Sequence, residues 1–193
     1  TQHPDAGTLV SLFNKTCNCQ EGIENALHCF LVGLGETMFR EMRRNKQLLP
    51  AGVTERILET GRVGVLGVSG DDNYPYTVPL NYAYEDGKIF FHCAKTGHKL
   101  DGIQRDNKVS FCVIERDEIV AEEFTSFFRS VIAFGKARIV EDEFGKNHAM
   151  MLLVHKFSTG LDEEGASRIQ KSWNNLNVVE IEIEHVTGKE AIE

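Results

Sequence analysis

The chain has 193 residues, with 21 Lys and Arg against 29 Asp and Glu, a formal net charge of −8. An acidic chain without a basic block repels phosphate backbones, which argues against a nucleic-acid partner. Its longest apolar run, over residues 26–35, is broken by His28 and two glycines and reaches only half the roughly 20 residues of a membrane span, so no membrane partner is expected.

With 41% hydrophobic and 26% charged residues the composition is that of a globular domain. Five cysteines, an odd count without framework spacing, together with the lack of a leader pattern, lead to the expectation of a reducing cytoplasm. The sequon at Asn14 then reads as chance. Residues 1–37, mixed in Gly, Asn and Cys and weakly periodic, read as an N-terminal arm, and residues 38–193 as one domain.

Within that domain the pattern predicts a short helix over 38–49 and another over 54–60, ended by Gly61. The β-rich run 63–68, the polar turn 69–73 and the extended run 74–84 predict a hairpin. Asp86-Gly87 is a two-residue turn signal that joins the end of this run to a strand over 89–91, giving a three-stranded meander. Leu100 and Ile103 fit a one-face helix over 98–105, and 109–114 returns as a strand. A long strand over 127–140 follows, with Gly135 as a possible bend. Helices over 144–155 and 163–173 lead to a last strand over 178–183, in which Val179, Ile181 and Ile183 alternate with glutamates that face water. Six antiparallel strands with short helices predict a mainly β fold, a small barrel with helical decoration.

Several motifs read as structure. Gly64, Gly67 and Gly70 are spaced GxxGxxG with no helix after them, so they suit close packing within a strand and not a dinucleotide loop. Cys17, Cys19, His28 and Cys29 offer metal-capable atoms but a single tight pair, so no metal site is expected. Cys93 and Cys112 alternate with apolar strand residues, as buried thiols do. The segment that carries chemistry runs from Phe90 to Asp101. A strand ends near Cys93, a small-residue turn follows, and Lys95, His98 and Lys99 gather where a helix begins. Cationic side chains beside backbone amides suit a phosphate, and solvated surface charge is the other reading of the same residues.

The runs Tyr76 to Tyr84, Phe91 to Asp101, Asn107 to Phe111 and Phe128 to Val131 together resemble the pyridoxamine 5′-phosphate oxidase-related FMN-binding split barrels, and within them the nitroimidazole-resistance proteins. The resemblance implies a six-stranded antiparallel split β-barrel and a homodimer with FMN at the subunit interface. It lays the flavin ring along Thr77, Val78, Pro79, Leu80, Asn81 and Tyr82, with His92 and Cys93 lining the cofactor. The phosphate-binding Arg-Lys pair of the oxidases falls on His98 and Lys99, with Lys95 beside them. Ser130 occupies the place of a polar residue that contacts flavin from the partner chain. Trp173 resembles a cofactor-contacting tryptophan, or is an aromatic that packs inward from its helix. The C-terminal arginines that recognise substrate phosphate in the oxidases do not appear, which argues against pyridoxamine-phosphate oxidation.

The reading that follows is an FMN-dependent oxidoreductase. It takes electrons from a nicotinamide donor and reduces a small electron-poor acceptor such as a nitroimidazole, with His92 the candidate catalytic proton donor. The competing reading is a non-catalytic flavin- or haem-binding protein of the same fold.

Overall fold

The computed structural model describes residues 39–191. The arm's Cys17, Cys19, His28 and Cys29, and the start of the helix expected over 38–49, lie outside the described residues. Within them, that helix is reduced to a 3-10 turn, Asn45–Gln47. The reason is competition from the sheet: Leu49 N–H donates to Gly188 O at 3.0 Å and Leu48 bridges Lys189, so this segment is drawn out as an extended strap.

Seven strands follow: β1 (Val63–Ser69), β2 (Pro75–Asn81), β3 (Ala83–Glu85), β4 (Lys88–Ala94), β5 (Lys108–Val120), β6 (Thr125–Ile139) and β7 (Leu176–Ala191). Among the described residues four α-helices accompany them: α1 (Ala51–Thr60), α2 (His98–Arg105), α3 (Glu143–Phe157) and α4 (Asp162–Ser172). The strands form one antiparallel sheet in the order β2-β1-β5-β6-β7-β4-β3. β2 and β3 stand at opposite ends of that order, yet only Tyr82 separates them in the chain. The sheet must therefore curl until its two edges meet at this residue. They are joined there by covalent chain and not by a ladder, which is the split of a split barrel.

This arrangement corrects the expected strand count and meander. The run over 74–84 is two strands, because Tyr82 is fully buried and breaks the extended pattern between them. β2 pairs with β1 and β3 pairs with β4, so the two halves face different neighbours. The Asp86-Gly87 turn forms as expected, with φ of 47° and 77°, the left-handed values that such a hairpin requires.

Alternation along the strands fills the barrel with Leu66, Val68, Ile89, Phe91, Phe111, Val113, Val131, Val179 and Ile181, and helices α1 and α2 add Ile57, Leu58, Leu100 and Ile103. Gly64 is there for room: a Cβ would come within 2.1 Å of Phe111 Cε1. Gly135 sits at a bulge between β6 and β7, where a Cβ would meet Glu182 O at 2.1 Å. A second apolar layer lies outside the sheet, where Phe90, Val140 and Val178 pack against Ala149, Met150 and Leu153 of α3 and Ile169 of α4.

That outer layer corrects the expected wet face of the last strand. Glu182 is exposed, but Glu180 is buried among the residues of the covered end. Arg138 donates to its Oε1 at 2.9 Å and Lys88 lies 3.4 Å from its Oε2. A buried carboxylate needs such partners, since without them its charge would stand uncompensated.

Candidate functional site

β2 pairs along one side only, with β1. Proline inside a strand belongs on such an edge, where the missing N–H breaks no ladder, and β2 carries Pro75 and Pro79. Its side chains alternate cleanly: Tyr76, Val78 and Leu80 pack against the barrel core, while Thr77, Pro79 and Asn81 are exposed. Asn81 Nδ2 donates to Arg62 O at 2.9 Å and pins the end of the strand. The partner strand on the other side of the split is β4. β3 covers only Lys88 to Phe90 of it, so Phe91 to Ala94 present a second incomplete edge.

β4 leads through a short turn to Gly97, with φ 142° and ψ 161°, and then into α2. No side chain caps this helix, so its first backbone N–H groups leave the N-terminus without helical partners. Partial positive charge collects there. Lys99 is half-buried beside it, and its charge opposes the rise in the Cys93 thiol pKa that burial causes. Cys112 is likewise pushed up by burial. Neither thiol is set up as a nucleophile.

His98 is committed on two sides. Its ring lies against Tyr76, with centroids 4.1 Å apart, and its Nε2 stands 3.5 Å from Asp71 Oδ2. That separation makes an ion pair without hydrogen-bond alignment, and the buried Nε2 has no hydrogen-bond partner among the described residues. Asp71 is itself gripped by Arg105, which donates to Oδ1 at 2.8 Å and also to Gly70 O. Arg105 foremost, and the His98 charge next, hold the Asp71 carboxyl below its ordinary pKa.

His92 lies on the same face of β4 as Phe90, opposite to the inward Phe91 and Cys93, as alternation requires. Its side chain is exposed, and the protein packed around it still lowers its pKa.

Lys95 and Trp173 meet in a different place. They line a cleft of about 450 Å³ with Lys146, Asn174 and Asn177. Trp173 lies in a 3-10 turn after α4, and the buried Lys146 Nζ sits 4.4 Å from its ring centre while donating to Trp173 O at 2.7 Å and Leu176 O at 3.0 Å. Burial foremost, and the neighbouring Lys95 charge, lower the Lys146 pKa. Ser130 lies on β6, and β1 and β5 stand between it and β2. At ~4.8 Å per strand this is about 14 Å, so a single chain does not bring Ser130 to the β2 edge.

The sequence reading missed Asp71, Arg105 and Lys156. The Lys156 ammonium is buried over the ring of Tyr82, 4.3 Å from its centre. Neither this Nζ nor the Tyr82 hydroxyl has a hydrogen-bond partner among the described residues. Burial pushes the Tyr82 phenol pKa up and brings Lys156 down to about 8.

The profile of the pyridoxamine 5′-phosphate oxidase family matches residues 51–190. The chain belongs to that family. No curated protein matches it. Solved structures with the same fold include a candidate 5-nitroimidazole antibiotic resistance protein from Bacteroides thetaiotaomicron, 21% identical, with a TM-score of 0.61 over 74% of this chain and 86% of that one. A flavocytochrome from Azotobacter vinelandii, 18% identical, superimposes with a TM-score of 0.68 over 80% and 73%. An FAD-binding protein from Mesorhizobium loti is 25% identical, with a TM-score of 0.54 over 76% and 98%. Among the described residues of this family member no helix is long and apolar enough to cross a membrane, and no cluster of His, Cys, Asp or Glu suits a metal.

Proposed function

We propose that this chain is a flavin-dependent oxidoreductase that holds FMN along the open edge of β2, with the phosphate at the N-terminus of α2. The observation that carries the reading is the meeting of an incompletely paired strand edge with an uncapped helix start and a lysine. Unused backbone groups on β2 can bond a flat heterocycle, while amides and Lys99 can hold a dianion. Among the described residues the Lys156 ammonium, over the Tyr82 ring at the end of β2, also has no hydrogen-bond partner. Family membership and the likeness to an FAD-binding protein support a flavin, and the uncapped start of α2 beside Lys99 offers a place for the one phosphate of FMN.

Bound FMN supplies reversible electron storage between a nicotinamide donor and a small electron-poor acceptor such as a nitroaromatic. The protein's part is positional. Lys99 and the α2 amides hold the phosphate, Thr77 to Tyr82 align the ring, and His92 moves a proton at the rim.

A homodimer belongs to this reading. Pro79, Val65, Cys112, Ile132 and Thr187 stand in register across five strands on the barrel's outer face. Val63, Ile114, Ile132 and Phe134 on that face are exposed. A contiguous apolar sheet face of this kind fits a two-fold partner, which would also bring a second chain's Ser130 toward the cofactor.

Absorbance of the purified protein tests the cofactor, and chromatography of the released chromophore separates FMN from FAD. Two flavin bands, bleached anaerobically by a nicotinamide nucleotide and restored by a nitroaromatic acceptor, are expected. Flavin that never turns over with any donor and acceptor would return the protein to a binding role, and a Soret band without flavin would make it a haem protein.

A further inference from the structure

Lys156 is the penultimate residue of α3, yet it does not share the solvent-facing role of its neighbour. His155 pairs outward with Asp162 at 3.1 Å, whereas the Lys156 ammonium turns inward, 4.3 Å from the Tyr82 ring centre and 5.8 Å from that of Phe157. No acceptor reaches it among the described residues. A cation over an aromatic face recovers only part of its lost hydration, and buried polar groups normally have partners. A methionine would fill this position without that cost. Retaining a charge without a partner among the described residues therefore points to an acceptor outside them.

The place of this charge is specific. Tyr82 is the residue at which the two edges of the sheet meet, and it follows directly on β2. His98, against Tyr76, marks the other end of the same strand, with Lys99 beside it. From Tyr76 to Tyr82 the chain spans about 20 Å at ~3.3 Å per residue. Cationic groups thus bracket one open strand edge. An elongated ligand with an anionic tail and a ring that becomes electron-rich on reduction matches both ends.

Resting on the flavin reading above, we propose that Lys156 is the cation that favours the reduced, anionic form of a flavin held along β2. Among the described residues no carboxylate pairs with this ammonium, so its charge is left to act on negative charge that the ring acquires.

The test uses the apo full chain, titrated anaerobically with oxidised FMN and with chemically reduced FMN, for the wild type, Lys156→Met and Lys156→Arg. Lys156→Met should weaken reduced FMN by about tenfold more than oxidised FMN, the scale of one charge-assisted contact, while Lys156→Arg keeps the wild-type ratio. The apo melting temperature of Lys156→Met should equal or exceed that of the wild type, because an unpartnered charge is no longer buried. An unchanged ratio in Lys156→Met, an equal loss of both forms, or a lowered apo melting temperature would each overturn the assignment. A wild-type chain that takes up neither form of FMN overturns the flavin reading as well, and is distinguished by that from the other failures.

Discussion

The imidazole of His98 lies against the ring of Tyr76 with centroids 4.1 Å apart and planes inclined by 30°. This contact ties the first residue of α2 to the start of the open strand β2, two elements with no ladder between them. Asp71 completes the tie, since it faces His98 and accepts from Arg105 at the far end of the same helix. The turn that carries Asp71 includes Asp72 and Asn73 at positive φ, so its shape depends on being held.

Asp71→Asn should therefore lower the melting temperature at neutral pH. A carboxyl whose folded pKa lies below 3.8 contributes stability above that pH and loses it as pH falls through the folded value. The gap between wild type and variant should accordingly close as the pH is taken below about 4. Thermal melts of both proteins across that range check this, and equal melting temperatures at pH 7 would show that the clamp carries no stability.

Lys99→Glu should release the flavin. It replaces a donor at the helix start with a charge that opposes both the ligand and the amide dipoles. Loss of one charge-assisted contact weakens binding by about 10- to 100-fold, before repulsion is counted. Flavin content per chain, read beside a circular dichroism spectrum, measures this. A folded variant with wild-type occupancy would place the phosphate elsewhere.

How much of this was legible in sequence depended on whether the signal was local. Helix α2 over His98 to Arg105, the Asp86-Gly87 turn and the close packing at Gly64 follow from short-range rules, and each forms as read. The break at Tyr82 does not, because the run from Tyr74 to Tyr84 has uniform β character and only the curling of the whole sheet makes one residue turn inward. Glu180 alternates like its neighbours, and its burial comes from α3 and α4 packing over that end of β7. At the site, Lys99 and His98 were visible because they sit together beside a helix start. Asp71 and Lys156 were not, since the first reaches the site from a turn 27 residues before His98 and the second from a helix whose pattern gave no reason to single out one lysine.

Ile132→Glu addresses assembly. Ile132 is 42% exposed and stands between Cys112 and Thr187 in the outer apolar row, so within one chain a carboxylate there meets water and costs little. Across a two-fold interface the same change buries a charge without a partner. Light scattering should show a wild-type dimer and a variant monomer with reduced flavin content and an unchanged monomer fold. A wild-type chain that is monomeric while loaded with flavin would dismiss the interface.

His92→Ala tests the catalytic role. The ring lies on the face opposite Phe91 and Cys93, and burial lowers its pKa, so at neutral pH the imidazole is mostly neutral and its acid form grows as pH falls. A proton donor of this kind gives an acceptor-reduction rate that rises as pH drops below about 6.5, and removing it costs about 10²-fold or more. The variant should keep its FMN, lose that acid limb and show the slower rate. Stability offers an independent readout with a defined sign. The unfolded chain takes up a proton near its ordinary value while the folded chain waits until lower pH, so more protons are bound in the unfolded state between the two, and stability falls as pH falls through that window. His92→Ala should flatten this part of the stability profile. If the flattening is seen while rate and pH profile stay those of the wild type, His92 is a strand-edge histidine with no part in the chemistry, and the acceptor draws its proton from solvent.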